Sequence, residues 1–343
     1  MPLPFPQHQI ERALAPVVGN QAFEIRELLA GNINTIIRVV AGGQHYGLRI
    51  RTQEQIYRYD PDLIKEAFVA WLFANSQQTV DVKAMATTFA QLRTKRYGTT
   101  GRSNCVLPML RYYDWSRQHV PYPYCVYEWI DGIPLWDTPT PRLYALAGRM
   151  LARIHTVRFP EFYTDFTSLG LQAVRWDERL RVAWEKELRT ARLSFPFSLT
   201  ADLDRLTLPL SVTVSPCLVH NDFAPGNILV RDESVAGVID WDNAVIDVPH
   251  LDFVKMKYWT MKDENGKLSP APEYFRSFVD GYGPAGQAIV SSSLFALYEI
   301  LWLLRVYNFE HAKEEQGLSR APGYPAASIY TEHLVNVLTR TLS

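Results

Sequence analysis

The chain has 343 residues, 35 of them Lys or Arg and 36 Asp or Glu, for a formal net charge of −1 at pH 7. No global field therefore advertises nucleic acid or a membrane surface as a partner, and binding is expected to be local. Hydrophobic residues make up 47% and aromatic residues 13% of the chain, ample for burial, and the length exceeds a comfortable single core, which points to two lobes.

The first ten residues have neither a basic start nor an apolar stretch, and no run reaches the roughly 18 apolar residues of a membrane helix, so a soluble, cytoplasmic chain is expected. Cys105, Cys125 and Cys217 are odd in number and lack metal-ligand spacing, which fits structural thiols in a reducing compartment. After a short amphipathic opening helix, the polar stretch Gly31 to Thr35 leads into a strand, Ile36 to Ala41, then a Gly42-Gly43 turn and a second strand, Tyr46 to Arg51. On that second strand the alternation puts Gly47, Arg49 and Arg51 on one face and Leu48 and Ile50 on the other. Asp62 to Asn75 reads as an amphipathic helix after Pro61, carrying Glu66.

Residues 77–104 are polar, basic toward their end and rich in Thr and Gly, and read as an insertion without chemistry. Val106 to Trp115 and Pro121 to Glu128 are two further strands, which complete an antiparallel sheet. Thr140-Pro141 is a helix start, and Leu143, Leu146, Ala147, Met150, Leu151 and Ile154 follow at core-helix spacing. Arg175 to Arg192 is a basic amphipathic helix, Ala201 to Leu206 a short one, and Ser291 to Tyr307 a buried one.

The stretch that carries chemistry is LVHNDFAPGNILVRDESVAGVIDW, Leu218 to Trp241. Its apolar runs Ile228 to Val230 and Val235 to Ile239 flank a polar turn and read as a β-hairpin. With the turn centred between Glu233 and Ser234, Asn227 and Asp240 fall opposite one another, about 4.8 Å apart as neighbouring strands are. One divalent cation could bridge their oxygens. Five residues earlier comes Asp222, in a loop bent by Pro225-Gly226. Singly, Asp222 and Asn227 read as turn residues, Asp240 as a strand-end cap and His220 as a core histidine. Jointly they supply what phosphoryl transfer from a nucleotide needs: hard oxygen ligands for Mg²⁺ and a carboxylate to orient and deprotonate an attacking hydroxyl.

His220-Asn221-Asp222-Phe223-Ala224-Pro225-Gly226-Asn227 and Val238-Ile239-Asp240-Trp241 resemble the motifs of the aminoglycoside phosphotransferase and choline kinase family, relatives of the protein kinases. The resemblance implies an α+β, protein-kinase-like two-lobed fold, with an antiparallel-sheet N-lobe over 1–130 and a mainly helical C-lobe over 131–343. It makes Asp222 the catalytic base, Asn227 and Asp240 the Mg²⁺ ligands, and His220 a structural residue. It also makes Arg49 the phosphate-binding cation paired with Glu66, places Gly31, Asn34 and Thr35 over the nucleotide phosphates, and assigns the Glu128 carbonyl and Ile130 amide to the base. His155 and Asp252 become structural. Asn221 departs from the family's commoner Gly.

Ala224 stands where protein kinases often carry a Lys, and the stretch after Asp240 passes straight to Pro249 without an activation segment, so the resemblance points to a small-molecule acceptor. The implied function is an Mg²⁺-dependent kinase that moves the γ-phosphate of ATP or GTP to a hydroxyl, with an aminoglycoside-like antibiotic as leading acceptor. The alternatives are a kinase of choline or an amino alcohol, and a silent nucleotide-binding pseudokinase. Asp242, Asp247, Glu299 and Glu310 suggest an acid-lined cleft and hence a cationic acceptor. The oligomeric state is left open.

Overall fold

The computed structural model describes residues 5–30, 34–51, 63–75, 110–114, 116–163, 172–191, 214–262, 268, 272–318 and 324–342. Gly31, the 77–104 insertion, Cys105 and the expected helix Ala201 to Leu206 lie outside the described residues. The chain divides into two compact units. One takes in the chain up to Pro134 and returns for Asn227–Ala244; the other takes in Leu135–Phe166, Leu171–Gly226 and Val245–Ser343.

The first unit opens with helix α1, Gln7–Val18. Its buried residues Ile10, Ala13, Leu14 and Val18 recur on one face, as a one-sided helix requires. Strands β1 (Phe23–Ala30), β2 (Asn34–Ala41) and β3 (Gln44–Arg51) follow, then helix α2 (Leu63–Asn75) and strands β4 (Leu110–Asp114) and β5 (Tyr124–Glu128). They form a five-stranded antiparallel sheet in the order β1-β2-β3-β5-β4. Ile37, Val39, Leu48, Ile50 and Val126 meet α1 in one core, which places Leu48 and Ile50 inward as the alternation predicts. Gly42 and Gly43 both have positive φ, 57° and 78°, the backbone that a two-residue hairpin turn of matching twist demands.

Strand β1 is absent from the sequence reading, and its pairing shows why. A bulge between Ile25 and Glu27 shifts the register against β2, so the inward residues are Phe23, Ile25 and then Leu28. The period of two is broken mid-strand, and with it the sequence signal.

Strand β6 (Ile133–Pro134) belongs to the same unit and pairs with a later hairpin. The second unit continues with α3 (Pro141–Ile154), capped by Thr140, whose Oγ1 accepts from Leu143 N at 3.2 Å. Strands β7 (Phe162–Tyr163) and β8 (Ala173–Val174) pair with each other, α4 spans Trp176–Thr190, and β9 is Cys217–Val219. The hairpin of β10 (Ile228–Arg231) and β11 (Ser234–Val238) groups with the sheet unit, because β10 pairs with β6. This moves Asn227 and Asp240 out of the helical lobe, where a boundary at residue 130 put them. Beyond it lie β12 (Val245–Asp247), paired with β9, and helices α5 (His250–Met261), α6 (Pro272–Tyr282), α7 (Pro284–Val290), α8 (Ser293–Glu315) and α9 (Ala327–Leu342). Helices α3 and α6 touch backbone to backbone: a Cβ at Gly148 would fall 2.0 Å from the Phe278 carbonyl oxygen.

The result is the expected α+β chain, one unit built on an antiparallel sheet and the other mainly helical. Among the described residues no single helix is long and apolar enough to cross a membrane, and α7 with α8 reach that length only across a 65° bend. Cys125 and Cys217 are buried free thiols, pushed up from the ordinary thiol range chiefly by burial.

His250, the first residue of α5, is buried, shares one hydrogen bond between Nε2 and Ser292 Oγ (3.1 Å), and has no partner at Nδ1 among the described residues. Burial, and then the nearby His155, lower it from an ordinary 6.5 to about 4. Between those values the unfolded chain takes up a proton that the folded chain refuses, so stability falls as pH falls. Acidification from pH 7 to 4 is expected to remove up to about 3 kcal/mol through this site. Denaturant midpoints measured across that range should show a shallower dependence in His250→Asn.

Candidate active site

The chemistry-bearing residues fall into two groups, one in each unit. In the sheet unit, Arg49 projects from the face of β3 opposite the Leu48 and Ile50 core and is almost fully buried. Its Nη1 donates to Glu66 of α2. Its Nη2 donates to Asp240 Oδ1 and to Asp242 Oδ2, each at 2.7 Å. With its carbonyl oxygen turned to the guanidinium, the orientation that satisfies both groups, Asn34 accepts from Arg49 Nε at 3.1 Å and Nη2 at 2.6 Å. Glu66 also accepts from Trp241 N at 3.2 Å, so α2 is tied to the end of the hairpin as well as to β3.

The expected Glu66 to Arg49 pair is therefore present, with Asp240 and Asp242 joined to it. Burial by itself would push the Arg49 guanidinium down, but Glu66, Asp242 and Asp240 hold it well above its ordinary value. Asp242 is held well above the carboxylate range, first by burial and then by Asp240, against the pull of Arg49. Three carboxylates face one guanidinium. Of the three, Asp240 is the most open, with 38% of its side chain exposed against 14% for Glu66 and 5% for Asp242.

The hairpin register differs from the sequence reading by one residue. The turn is Asp232-Glu233, both at positive φ (51° and 56°), and a bulge follows Leu229. Asn227 consequently lies opposite Ile239, whose N–H donates to its carbonyl at 2.9 Å. Asp240 follows, held in the left-handed region at φ 68°, ψ 60°, a conformation that short polar side chains tolerate best. Asn227 and Asp240 thus share the hairpin end without being cross-strand partners.

The donor set fits Mg²⁺. That ion is commonly bound through one or two carboxylates together with substrate phosphates and water, and without an all-protein cage. Among the described residues no three His, Cys, Asp or Glu side chains converge as such a cage. The amide of Asn227 and the half-open carboxylate of Asp240 are hard oxygen donors, and the carboxylate excess around Arg49 supplies the charge such an ion needs.

At the expected hinge, Tyr46 pairs with Glu128 and Trp129 N donates to His45 O at 2.9 Å. This makes Tyr46 and Glu128 a non-hydrogen-bonded pair, so the Glu128 backbone carbonyl is turned away from β3. Ile130 follows as the chain leaves the sheet. The open face of Gly47 is covered: a Cβ there would meet the Tyr127 ring at 2.6 Å.

In the helical unit, one buried carboxylate braces the loop that bears Asp222. Asp252, two residues into α5, accepts from His220 N (2.9 Å), Asn221 N (2.7 Å) and His155 Nε2 (3.1 Å). Burial holds His155 below its ordinary value despite that carboxylate, and the neutral ring can accept from the Tyr282 hydroxyl at Nδ1 (3.0 Å). His220 is wholly buried and its Nδ1 accepts from Asp222 N at 3.2 Å. Both histidines and Asp252 are structural here, as expected. Asn221 sits at φ 62°, which explains why Gly is common at this place and why Asn can replace it.

Asp222 itself meets a cation that the sequence reading missed. Lys255 Nζ lies 2.7 Å from Asp222 Oδ1. The signal was available: on α5, residues 252, 255 and 259 are three and seven apart and share one helix face. The acid-lined cleft is not formed as expected. Asp242 serves Arg49. Asp247 accepts from Val248 N (2.8 Å) and Tyr298 (2.7 Å) and pairs with Arg179 (3.1 Å). Glu299 is enclosed by Lys257, Tyr258 and Arg340, and Glu310 pairs with Lys313 at 3.4 Å. All four acids are buried; Glu299 and Asp247 contribute to the walls of two separate pockets, so the four do not gather in one cleft.

A family model described as the phosphotransferase enzyme family matches residues 24–289. No curated protein sequence matches the chain significantly. Among solved structures, it resembles aminoglycoside phosphotransferase APH(4)-Ia in ternary complex with ADP and hygromycin B. That likeness has 14% identity and a TM-score of 0.65, over 97% of this chain and 98% of that one. It also resembles spectinomycin phosphotransferase APH(9)-Ia in complex with ADP and spectinomycin, at 14% identity, TM-score 0.51 and 99% of each chain. A third likeness is to the gentamicin complex of APH(2")-IIa, at 13% identity and TM-score 0.52, over 100% of this chain and 97% of that one. At such identities the likeness establishes the fold, an α+β one of the kinase-like kind.

Removing the guanidinium should expose the carboxylate excess. Arg49→Met is expected to cost about 3–5 kcal/mol at pH 7.5, because the charges it leaves behind stay buried. The folded variant then holds protons that the unfolded chain releases, so its stability should recover as pH falls toward 5. Urea midpoints at pH 5.5 and 7.5 would test both the size and the sign.

Proposed function

We propose, given that the chain belongs to the phosphotransferase enzyme family, that it transfers the γ-phosphate of Mg²⁺-bound ATP to a hydroxyl of a small organic molecule. Family membership makes it an ATP-dependent phosphotransferase. The metal, the residue roles and the acceptor are our reading. The observation that carries it is the Arg49 centre: three carboxylates around one buried guanidinium leave negative charge that a fold has no use for by itself, and that the metal ion of a nucleotide complex would balance.

In this reading Asn227 and Asp240 would hold Mg²⁺, which when bound neutralises charge on the transferring phosphoryl oxygens. Arg49 grips the nucleotide phosphates and Glu66 holds it in place, with Asn34 and Thr35 at the front edge of the sheet. The backbone of Glu128 and Ile130 takes the base. Asp222 accepts the proton of the acceptor hydroxyl as its oxygen attacks the γ-phosphorus, and ADP departs. Lys255 steers the Asp222 carboxylate and supplies, from α5, the positive charge that Ala224 cannot. The intact Asp222, Asn227 and Asp240 set speaks against a silent pseudokinase. Hygromycin B, spectinomycin and gentamicin in the similar structures support an antibiotic-like hydroxylated acceptor, ahead of choline or an amino alcohol.

An ADP-release assay over a panel of hydroxylated acceptors tests the reaction. Asp222→Asn should lower turnover by roughly 10²-fold or more and leave nucleotide affinity nearly unchanged, as loss of a positioned base does; near wild-type turnover would remove Asp222 from that role. Asp240→Ala should abolish the Mg²⁺-dependent part of the thermal shift that ATP produces.

Lys255→Met should lower kcat by about tenfold or more, with partial recovery in Lys255→Arg. If Lys255→Met lowered thermal stability and left kcat intact, the lysine would be structural only.

A further inference from the structure

Beside Asp222 in the helical unit stands a wall of aromatic rings that no role above uses. Trp136 is 46% exposed and packs on the Asp222 loop, since a Cβ at Gly226 would meet its ring at 2.6 Å. Trp259 of α5 lies next, with ring centroids 5.9 Å from Trp136 and 5.3 Å from Tyr324. A bare wall of this kind would attract a ligand's cation to its ring faces. Here the chain fills those faces with its own ammonium groups. Lys255 Nζ lies 5.8 Å from the Trp259 ring, and Lys262 Nζ lies 4.0 Å from Trp259 and 4.1 Å from Tyr324.

The charges nearby do not cancel. Asp222 is engaged by Lys255 and Glu310 by Lys313, which leaves Lys262 without a carboxylate in ion-pair range among the described residues. Among the described residues, two ammonium groups thus share one indole while one carboxylate, Asp222, pairs with either of them. Burial, and then repulsion from Lys255, lower Lys262 from 10.5 to about 8, against a weaker pull from Glu310. An ammonium so placed is stabilised by an incoming anion, and it repels an incoming cation.

We infer that the acceptor carries an anionic group, a carboxylate or a phosphate or sulfate ester, on an apolar or aromatic hydroxylated body, and that Lys262, seated on Trp259 and Tyr324, recognises that group while the exposed Trp136 ring holds the body. This rests on the reading of Asp222 as the base and keeps a hydroxylated small-molecule acceptor, but it replaces the cationic acceptor that an acid-lined cleft would favour and so separates this chain's acceptor from the amine-bearing antibiotics of the similar structures. Lys262 is a specificity-determining residue in this account. It touches the acceptor at a point away from the transferred phosphate.

The test is a calorimetric titration of the full-length protein with three probes of one shape: 4-(hydroxymethyl)benzoate, its methyl ester, and 4-(hydroxymethyl)benzylamine. The carboxylate is expected to bind at least tenfold more tightly than the ester or the amine. Lys262→Met should remove that preference and Lys262→Arg keep it, with the ATP-induced thermal shift confirming that each variant is folded. Equal or tighter binding of the amine overturns the inference, as does a preference that survives in Lys262→Met, or no binding by any probe. Weakened ATP binding in Lys262→Met, with the probe preference unchanged, would assign the lysine to nucleotide phosphate and also overturn it. The titration needs no phosphoryl transfer, so its failure is separable from failure of the reaction, which the Asp222→Asn turnover measures.

Discussion

A single buried guanidinium fixes the working end of the sheet unit. Arg49 joins strand β3 to helix α2 through Glu66, and to the hairpin end through Asp240 and Asp242. Ion pairs of this kind contribute little to net stability, because desolvation offsets most of the attraction. What they do well is specify geometry. Once β3 presents the guanidinium, α2 has one depth and one rotation that bring Glu66 to it, and the chain after β11 must turn sharply to bring in two carboxylates two residues apart. The left-handed backbone at Asp240, which costs about 1–3 kcal/mol at such positions, is the local consequence.

The helical unit solves the equivalent problem with one carboxylate. Asp252 takes two successive backbone amides of the Asp222 loop and the ring of His155, so the loop's path is set from α5. The same helix carries Lys255 to Asp222 three residues on and Trp259 to the aromatic wall seven residues on. The Asp222 loop, its counter-charge and one ring of the wall are therefore all set by one rigid element, which is the way to hold side chains to a fraction of an ångström.

Much of this was legible in the sequence because it is local. The hairpin, the core face of α3, the Thr140 cap and the alternation on β3 are properties of neighbouring residues, and the motif residues are contiguous. The Glu66 to Arg49 pair, 17 residues apart, came from the resemblance. The errors have physical causes. The turn sits one residue earlier than read, which alone would shift Asn227's partner by two, and the bulge after Leu229 takes back one of the two; the bulge in β1 erased that strand's alternation, and a bulge leaves no reliable mark in composition. The acids read as a cleft were misjudged because a carboxylate's partner is a tertiary fact. Tyr298 for Asp247 is 51 residues away, and Lys257 for Glu299 is 42. Lys262 and the rings around it were missed for the same reason: Trp136, Trp259 and Tyr324 come from three separate parts of the chain.

The net charge of −1 conceals two opposite local imbalances. Among the described residues, carboxylates outnumber cations around Arg49, and ammonium groups outnumber carboxylates around Trp259. In water such imbalances would be screened within about 8 Å at physiological ionic strength. Here the groups are buried or half-buried, where screening is weak and an uncompensated charge raises the energy of the ligand-free state. Folding tolerates this because the rest of the core is apolar and well covered. The cost is returned when a ligand of the opposite sign arrives, so binding energy is concentrated on species that carry that sign. In the proposed reading, the sheet unit would favour a cation brought by a polyanionic nucleotide, and the helical unit an anion. A chain with no global field can in this way be selective toward two charged partners at once, since each imbalance acts only over the few ångströms in which its own ligand is recognised.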